Sequence, residues 1–321
     1  NLDYARAIVE KLPMLALSIT AAAVTIVAQD TAVVQLEQYS HAMRLTTATS
    51  AYLIYLRQFL FPIDLIIFYP LPASIPLFNL IFPGAVLLSL IVLSVLFSRK
   101  LPFIAAGLLF YLVTLLPVIG LIQVGSQAHA DRYMYIPSVG VLIACIYLIP
   151  DIGKRYFQVG RVISILLIIY LSTICYWQVS YWKNRHTRFS RALDINDENY
   201  MAHIQLASDY WMRKMLDESR QHLLTAISMR PDLPDAYLPM ANIALAEKEF
   251  QAAESLYQLV LSSDESSAEL QNNLGIALAE QGRIAEATKA FEMALQMEPD
   301  LAKARLNMEL YKSRAAKETN P

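Results

Sequence analysis

Residues 268–301 read AELQNNLGIALAEQGRIAEATKAFEMALQMEPDL. Sliding the chain along itself by 34 residues lays this stretch over 234–267, and a second such step lays it over 200–233. The same kinds of side chain recur at the same places. Position 7 is Leu206, Met240 and Leu274, and position 8 is Ala207, Ala241 and Gly275. Position 20 is Ser219, Ala253 and Ala287, position 24 is Leu223, Tyr257 and Phe291, and position 27 is Ala226, Val260 and Ala294. Small residues at 8 and 20 let two helices of a hairpin approach closely, while the large ones at 7 and 24 fill the space between them. Position 32 is Pro231, Glu265 and Pro299; a proline there ends the second helix, because it cannot continue the hydrogen-bond ladder.

A 34-residue helical unit of this pattern is that of the tetratricopeptide repeat (TPR), so residues 183–317 are expected to form an α-solenoid. Upstream, Phe189 and Ala192 fall at positions 24 and 27 of a half repeat spanning 183–199. Its first helix would overlap the apolar segment before it, with no flexible linker between. Downstream, 302–317 is a polar helix of the kind that caps a repeat stack, followed by a tail at 318–321. Positions 2, 5, 9 and 12 should line the concave face, where such arrays bind protein or peptide. These are Met201, Ile204, Ser208 and Trp211, then Asp235, Leu238, Asn242 and Leu245, then Glu269, Asn272, Ile276 and Ala279. None is Lys or Arg, which argues against a clamp for a partner's terminal carboxylate. The alternative is that this face packs against other parts of the protein.

Outward from the repeats, the composition changes. Residues 1–195 carry 14 Lys/Arg against 8 Asp/Glu, while residues 196–321 carry 12 against 20. The chain is 56% hydrophobic, with a mean hydropathy of +0.38, and that surplus lies in the basic half. A membrane domain at 1–182 joined to a water-soluble solenoid is the expected all-α architecture. Nothing in the charge invokes nucleic acid. The two cysteines, Cys145 and Cys175, sit in apolar segments and do not reveal a redox compartment. The chain begins Asn1-Leu2-Asp3 without Met, and we expect a fragment of a longer protein with membrane helices upstream.

Apolar runs at 12–28, 77–97, 101–122, 133–150 and 162–182 are the expected spans, the first of marginal length. The last ends in Trp177, Tyr181 and Trp182, an interfacial anchor. The stretch 45–72 differs, since it holds Arg57 and Asp64 and ends in Pro62, Tyr69, Pro70 and Pro72. We expect a re-entrant or interfacial segment there. Placing Arg99, Lys100, Lys154, Arg155 and Arg161 in the cytoplasm puts the 123–132 loop and the solenoid on the other side, periplasm or lumen. Counting 45–72 as a sixth span would reverse the solenoid.

The 120–140 stretch, GLIQVGSQAHADRYMYIPSVG, gathers His129, Asp131, Arg132, Tyr133 and Tyr135 between apolar segments. Ionisable groups at a bilayer edge are costly unless solvated or paired, so they mark a candidate site. Arg132 suits a lipid phosphate, because guanidinium matches phosphate geometry and stays charged, with Asp131 orienting it. The plainer alternative is an interfacial ion pair of Asp131 with Arg132, and likewise of Arg57 with Asp64. No phosphate loop, HExxH, CxxC or GxSxG motif occurs, and the histidines show no metal-ligand spacing.

Two stretches carry a resemblance: FPIDLIIFYPLP, from Phe61 to Pro72, and LLPVIGLIQVGSQAHADRYMYIPSVG, from Leu115 to Gly140. With a Trp-anchored span leading into TPRs, they resemble the transmembrane-and-TPR O-mannosyltransferase family and its bacterial relatives in the C-type glycosyltransferase class. That resemblance implies transfer of a sugar from a polyprenyl-phosphate carrier to protein, on the non-cytoplasmic side. It also marks Phe68, Tyr69 and Pro70 with Asp131, Arg132 and Tyr133 as motif positions. The family's acidic catalytic residue lies in a first external loop upstream of this chain, so the catalytic carboxylate is expected outside it. Cofactor identity is not legible, and a divalent metal ion is the candidate. The alternative to an enzyme is a non-catalytic membrane-anchored TPR scaffold for an envelope complex.

Overall fold

The structure, a computed structural model, describes residues 40–71, 78–120, 127–147, 157–263 and 266–319, with the isolated helical positions Leu12, Ala16, Thr20 and Val24. The rest of the 12–28 segment, the 123–126 end of the polar loop, Pro72 and the basic pair Lys154–Arg155 lie outside the described residues. The chain divides into two compact units, Asn1–Ser180 and Tyr181–Pro321. Among the described residues the architecture is all-α apart from one two-stranded pairing.

In the first unit, α1 runs His41–Leu60, its start capped by the Ser40 hydroxyl accepting the Met43 N–H at 3.2 Å. It begins earlier than the 45–72 segment expected from sequence and stops before Pro62. After it come β1 (Tyr69–Pro70), α2 (Phe78–Leu96), α3 (Pro102–Leu115), β2 (Gln127–His129) and α4 (Pro137–Ile146). Pro102 and Pro137 each open their helix at the first position, where a missing N–H costs nothing. Helix α5 is the longest described, Phe157–Tyr181.

Five spans were expected; among the described residues one segment, Gln158–Tyr181, is long and apolar enough to cross a membrane. Leu80–Leu96, Pro102–Val118 and Pro137–Ile146 are apolar but shorter. The expected 133–150 span starts late for a local reason. Residues Asp131–Met134 close a 3-10 turn, and the α-helix waits for Pro137.

The core of this unit is built from aromatic side chains with their hydroxyls satisfied. Tyr52 of α1 donates to the Leu112 carbonyl at 2.9 Å, and Tyr111 of α3 donates back to the Tyr52 carbonyl. Buried Tyr55, Leu115, Ile119 and Met134 complete the cluster. Helices α3 and α4 cross at Gly107 and Gly140, where a Cβ on either residue would run into the other's carbonyl oxygen. Only glycine permits that approach, and it sets the position of α4 directly after the Asp131–Met134 turn.

The second unit is a solenoid of helix pairs. After α6 (Arg185–Ile195) come α7 (Tyr200–Met212) with α8 (Leu216–Met229), α9 (Pro234–Ala246) with α10 (Phe250–Leu261), and α11 (Ala268–Glu280) with α12 (Ile284–Met297). Helix α13 (Ala302–Thr319) packs against α11 and α12. The recurring positions are the buried ones: Ala207, Ala241, Ala253 and Ala287 are closed off, as are Leu223, Tyr257 and Phe291. In the first pair Ser219 joins the two small positions by donating to the Ala207 carbonyl at 2.8 Å. In the third, Gly275 is required, since a Cβ there would stand 2.6 Å from the Phe291 ring. The turn inside each pair carries a positive φ: 62° at Lys214, 65° at Lys248 and 81° at Gly282. These three residues are themselves 34 apart.

Candidate functional site

In the first unit, β1 pairs antiparallel with β2, setting Tyr69 opposite His129 and Pro70 opposite Gln127. The two stretches that carry the family resemblance, about sixty residues apart in the chain, are thereby brought together. The Tyr69 ring stacks on the His129 imidazole at 3.9 Å, and Tyr55 meets that imidazole edge-on at 5.8 Å. The Tyr69 hydroxyl donates to Asp131 Oδ1 at 2.8 Å and accepts from Gln58 Nε2 and the Ile66 N–H, each at 3.0 Å. Tyr55 fixes the strand end, accepting the Ala130 N–H at 3.1 Å. The loop that looked interfacial from sequence is therefore anchored from α1 by side chains one turn apart.

Asp131 and Arg132 turn to different partners. Asp131 is half-buried on Tyr69; Arg132 is exposed, its guanidinium 5.0 Å from the Tyr133 ring centroid. Among the described residues no ion pair joins them. Gln127 Nε2 also reaches the Tyr133 hydroxyl, at 3.4 Å. Arg57 and Asp64 do approach, at 3.9 Å, but both are exposed enough that water screens the pair. Phe68 is half-buried beside Tyr69, and Pro70 lies in β1.

Electrostatics follow from this packing. Burial pushes the Asp131 carboxyl up to about 6, while the Tyr69 O–H pulls it back down. Burial, then the negative charge of Asp131, raises Tyr69 well above the usual phenol range. Burial and the positive charge of Arg57 lower His129 to about 4, so the imidazole is neutral at pH 7. Its Nε2 is enclosed and has no hydrogen-bond partner among the described residues. The cluster thus offers a neutral imidazole, a carboxyl raised to about 6 and the exposed guanidinium of Arg132, with that of Arg57 nearby. Among the described residues no group of three or more His, Cys, Asp or Glu side chains converges as a metal set.

Replacing Tyr69 by Phe should remove the one contact that favours ionised Asp131. We expect the Asp131 pKa to rise above 6 by about 1, one charge-assisted hydrogen bond's worth. Carboxyl-edited NMR titration reads this directly, and an unchanged midpoint would contradict the bond. The sign for stability follows. Between 3.8 and about 6 the folded chain holds a proton at Asp131 that the unfolded chain has released. This group therefore adds stability as pH falls through 6, the reverse of a salt-bridged carboxylate.

The solenoid holds a second candidate, a groove of about 360 Å³. Trp211, Leu245, Asn242, Glu269 and Asn272 line it, all at concave positions of the repeat. Lys303, from the capping helix, and Asn273 line it too, neither foreseen from the repeat positions. An amide chain stiffens the floor. Asn242 Oδ1 accepts from Tyr257 at 2.7 Å and from Asn273 at 3.1 Å, and Asn272 Oδ1 accepts from Asn307 at 2.9 Å. Other concave positions are taken up internally. Ile204 is 6% exposed, Leu238 packs on the core, and Ser208 accepts from Arg185 Nη1 at 2.9 Å.

In comparison with known proteins, the tetratricopeptide-repeat family profile matches residues 268–301, the third helix pair. Over about two thirds of its length, the chain is similar to the human protein O-mannosyl-transferase TMTC3, 24% identical over 230 residues and 66% of this chain. The Mus musculus protein of that name is 23% identical over 256 residues and 72% of the chain. The chain spans about a quarter of the length of these curated relatives, 24% and 25%. Among solved structures, YrrB, described as a TPR protein with an unusual peptide-binding site, aligns at a TM-score of 0.37 and 16% identity. That alignment covers 40% of this chain and 66% of that one. MamA aligns at 0.36 and 18%, over 40% of this chain and 80% of that one.

Proposed function

We propose that the chain is the C-terminal part of a membrane glycosyltransferase that takes sugar from a polyprenyl-phosphate donor, in the manner of protein O-mannosyltransferases. The observation that carries this is the pairing of β1 with β2, which assembles Tyr69, His129 and Asp131 into one cluster beside exposed Arg132. In this reading Arg132 meets the donor phosphate, Tyr133 backs its guanidinium, and Asp131 is held off it by Tyr69. Residues 1–182 form a multi-pass membrane domain, with the solenoid of 183–317 in the periplasm or lumen. The exposed apolar surfaces of α2, α4 and α5 support burial in lipid. So does the aromatic end of α5, where Trp177 and Tyr176 stand 60% and 74% exposed. The catalytic carboxylate is assigned to residues upstream of this chain, and any divalent metal ion would act with it. The solenoid groove recruits the acceptor or a partner protein.

The groove also favours a second reading, a non-catalytic scaffold, because it would serve that role unchanged. One experiment separates them. The natural full-length protein, purified in detergent, is offered labelled polyprenyl-phosphate sugars with a protein acceptor. Transfer that depends on an upstream Asp or Glu supports the enzyme. No transfer with any donor, from a protein that inserts and folds, leaves the scaffold.

A further inference from the structure

Two histidines absent from the cluster above meet inside the first helix pair of the solenoid, with a third, His186, on the preceding helix α6. His203 of α7 and His222 of α8 approach Nδ1 to Nδ1 at 2.8 Å. Two imidazoles make that contact only if one nitrogen carries the hydrogen and the other accepts it. His203 Nε2 lies 3.2 Å from the Asp197 carbonyl, which can only accept. That nitrogen therefore carries hydrogen, His203 Nδ1 is the acceptor, and His222 Nδ1–H is the donor.

Several groups face the pair. Asp197 comes from the turn before α7. His186 of α6 stands beyond Tyr210, whose ring stacks on His222 at 5.4 Å. His186 is itself turned to Asp209, at 3.2 Å, and Asp209 also holds Arg213 at 2.8 Å. On the α9 side, Arg220 of α8 is committed to Glu247 and Glu249. No acidic side chain is hydrogen-bonded to either imidazole of the pair among the described residues.

A first extra proton can settle on His222 Nε2 without breaking the contact. A second has to go to His203 Nδ1, where it meets the His222 N–H head-on and sets two cations side by side. The closed hairpin thus holds one extra proton, and the opened hairpin holds two. We propose that the α7–α8 hairpin is an acid-sensitive wall of the solenoid groove, which loosens when the His203–His222 contact takes up its second proton and so displaces Trp211. Partial burial lowers both histidines from their ordinary 6.5, in keeping with this. The consequence for a partner rests on the groove reading above, whereas the opening of the hairpin does not.

Hydrogen exchange of the full chain, followed by mass spectrometry from pH 7.5 to 5 and corrected for intrinsic rate, tests it. A difference of one bound proton makes the opening constant of Tyr200–Met229 rise about tenfold per pH unit below 6.5. Ala268–Met297 contains no histidine and serves as the internal reference. Its protection should stay flat. His203→Gln and His222→Gln each keep a hydrogen-bonding group of similar reach but cannot titrate, so each should flatten the slope. A wild-type slope no steeper than the reference, or one that survives in both variants, overturns the proposal. Failure of the groove to bind any partner would leave the slope in place, so the two ideas fail separately.

Discussion

Arg132→Ala in the natural full-length protein should cut sugar transfer from a polyprenyl-phosphate donor about 100- to 1,000-fold, the cost of deleting one preorganised contact to developing phosphate charge. Arg132→Lys keeps the charge but not the two-pronged geometry, and should cost about tenfold. Folding should be unchanged in both. The side chain is exposed, and among the described residues it meets its own neighbour Tyr133, so a stability change within about 0.5 kcal/mol is expected. Comparing donor saturation curves separates phosphate binding from chemistry. A fully active Arg132→Ala protein would remove the donor-phosphate role and leave a surface arginine lying on a tyrosine.

The second large effect belongs to the solenoid. Residues 184–321 should fold without the first unit, because each helix pair buries its apolar face on the next. Within that fragment, Phe291→Ala should cost about 3–5 kcal/mol, since the ring is 1% exposed and fills the space opposite Gly275. For a domain of this size that lowers the midpoint of thermal unfolding by about 10–20 °C. Circular dichroism melts measure it. A loss under 1 kcal/mol would mean the cavity collapses, and that the tight Gly275–Phe291 fit is not what holds the third pair together. An insoluble or unfolded fragment would contradict the independence of the solenoid itself.

The solenoid was legible in the sequence because its contacts are local. Each helix meets its partner within one 34-residue unit, so the packing rule repeats along the chain and small residues reveal the close approaches. Even the break between helices obeys the period, although Lys214 and Lys248 hide a left-handed turn that Gly282 makes plain. The expected spans were less secure. Apolar composition measures a preference for lipid, whereas helix length is decided by where Pro137 and the 3-10 turn at Asp131–Met134 allow a helix to begin.

Sequence by itself determined the all-α class, the repeat register, the apolar half and the residue types at the polar loop. These follow from periodicity and transfer free energy, which are properties of neighbours in the chain. Only the tertiary structure decided who meets whom at that loop. Asp131 looked like the partner of Arg132 because the two are adjacent, yet adjacent residues in a 3-10 turn point in different directions. Its partner is Tyr69, 62 residues away, brought by the β1–β2 pairing and held by Gln58 and Ile66. The His203–His222 contact is likewise invisible from spacing, since it depends on how two helices of one hairpin face each other. Adjacency in sequence limits distance but not direction, and hydrogen bonding at these sites is decided by direction.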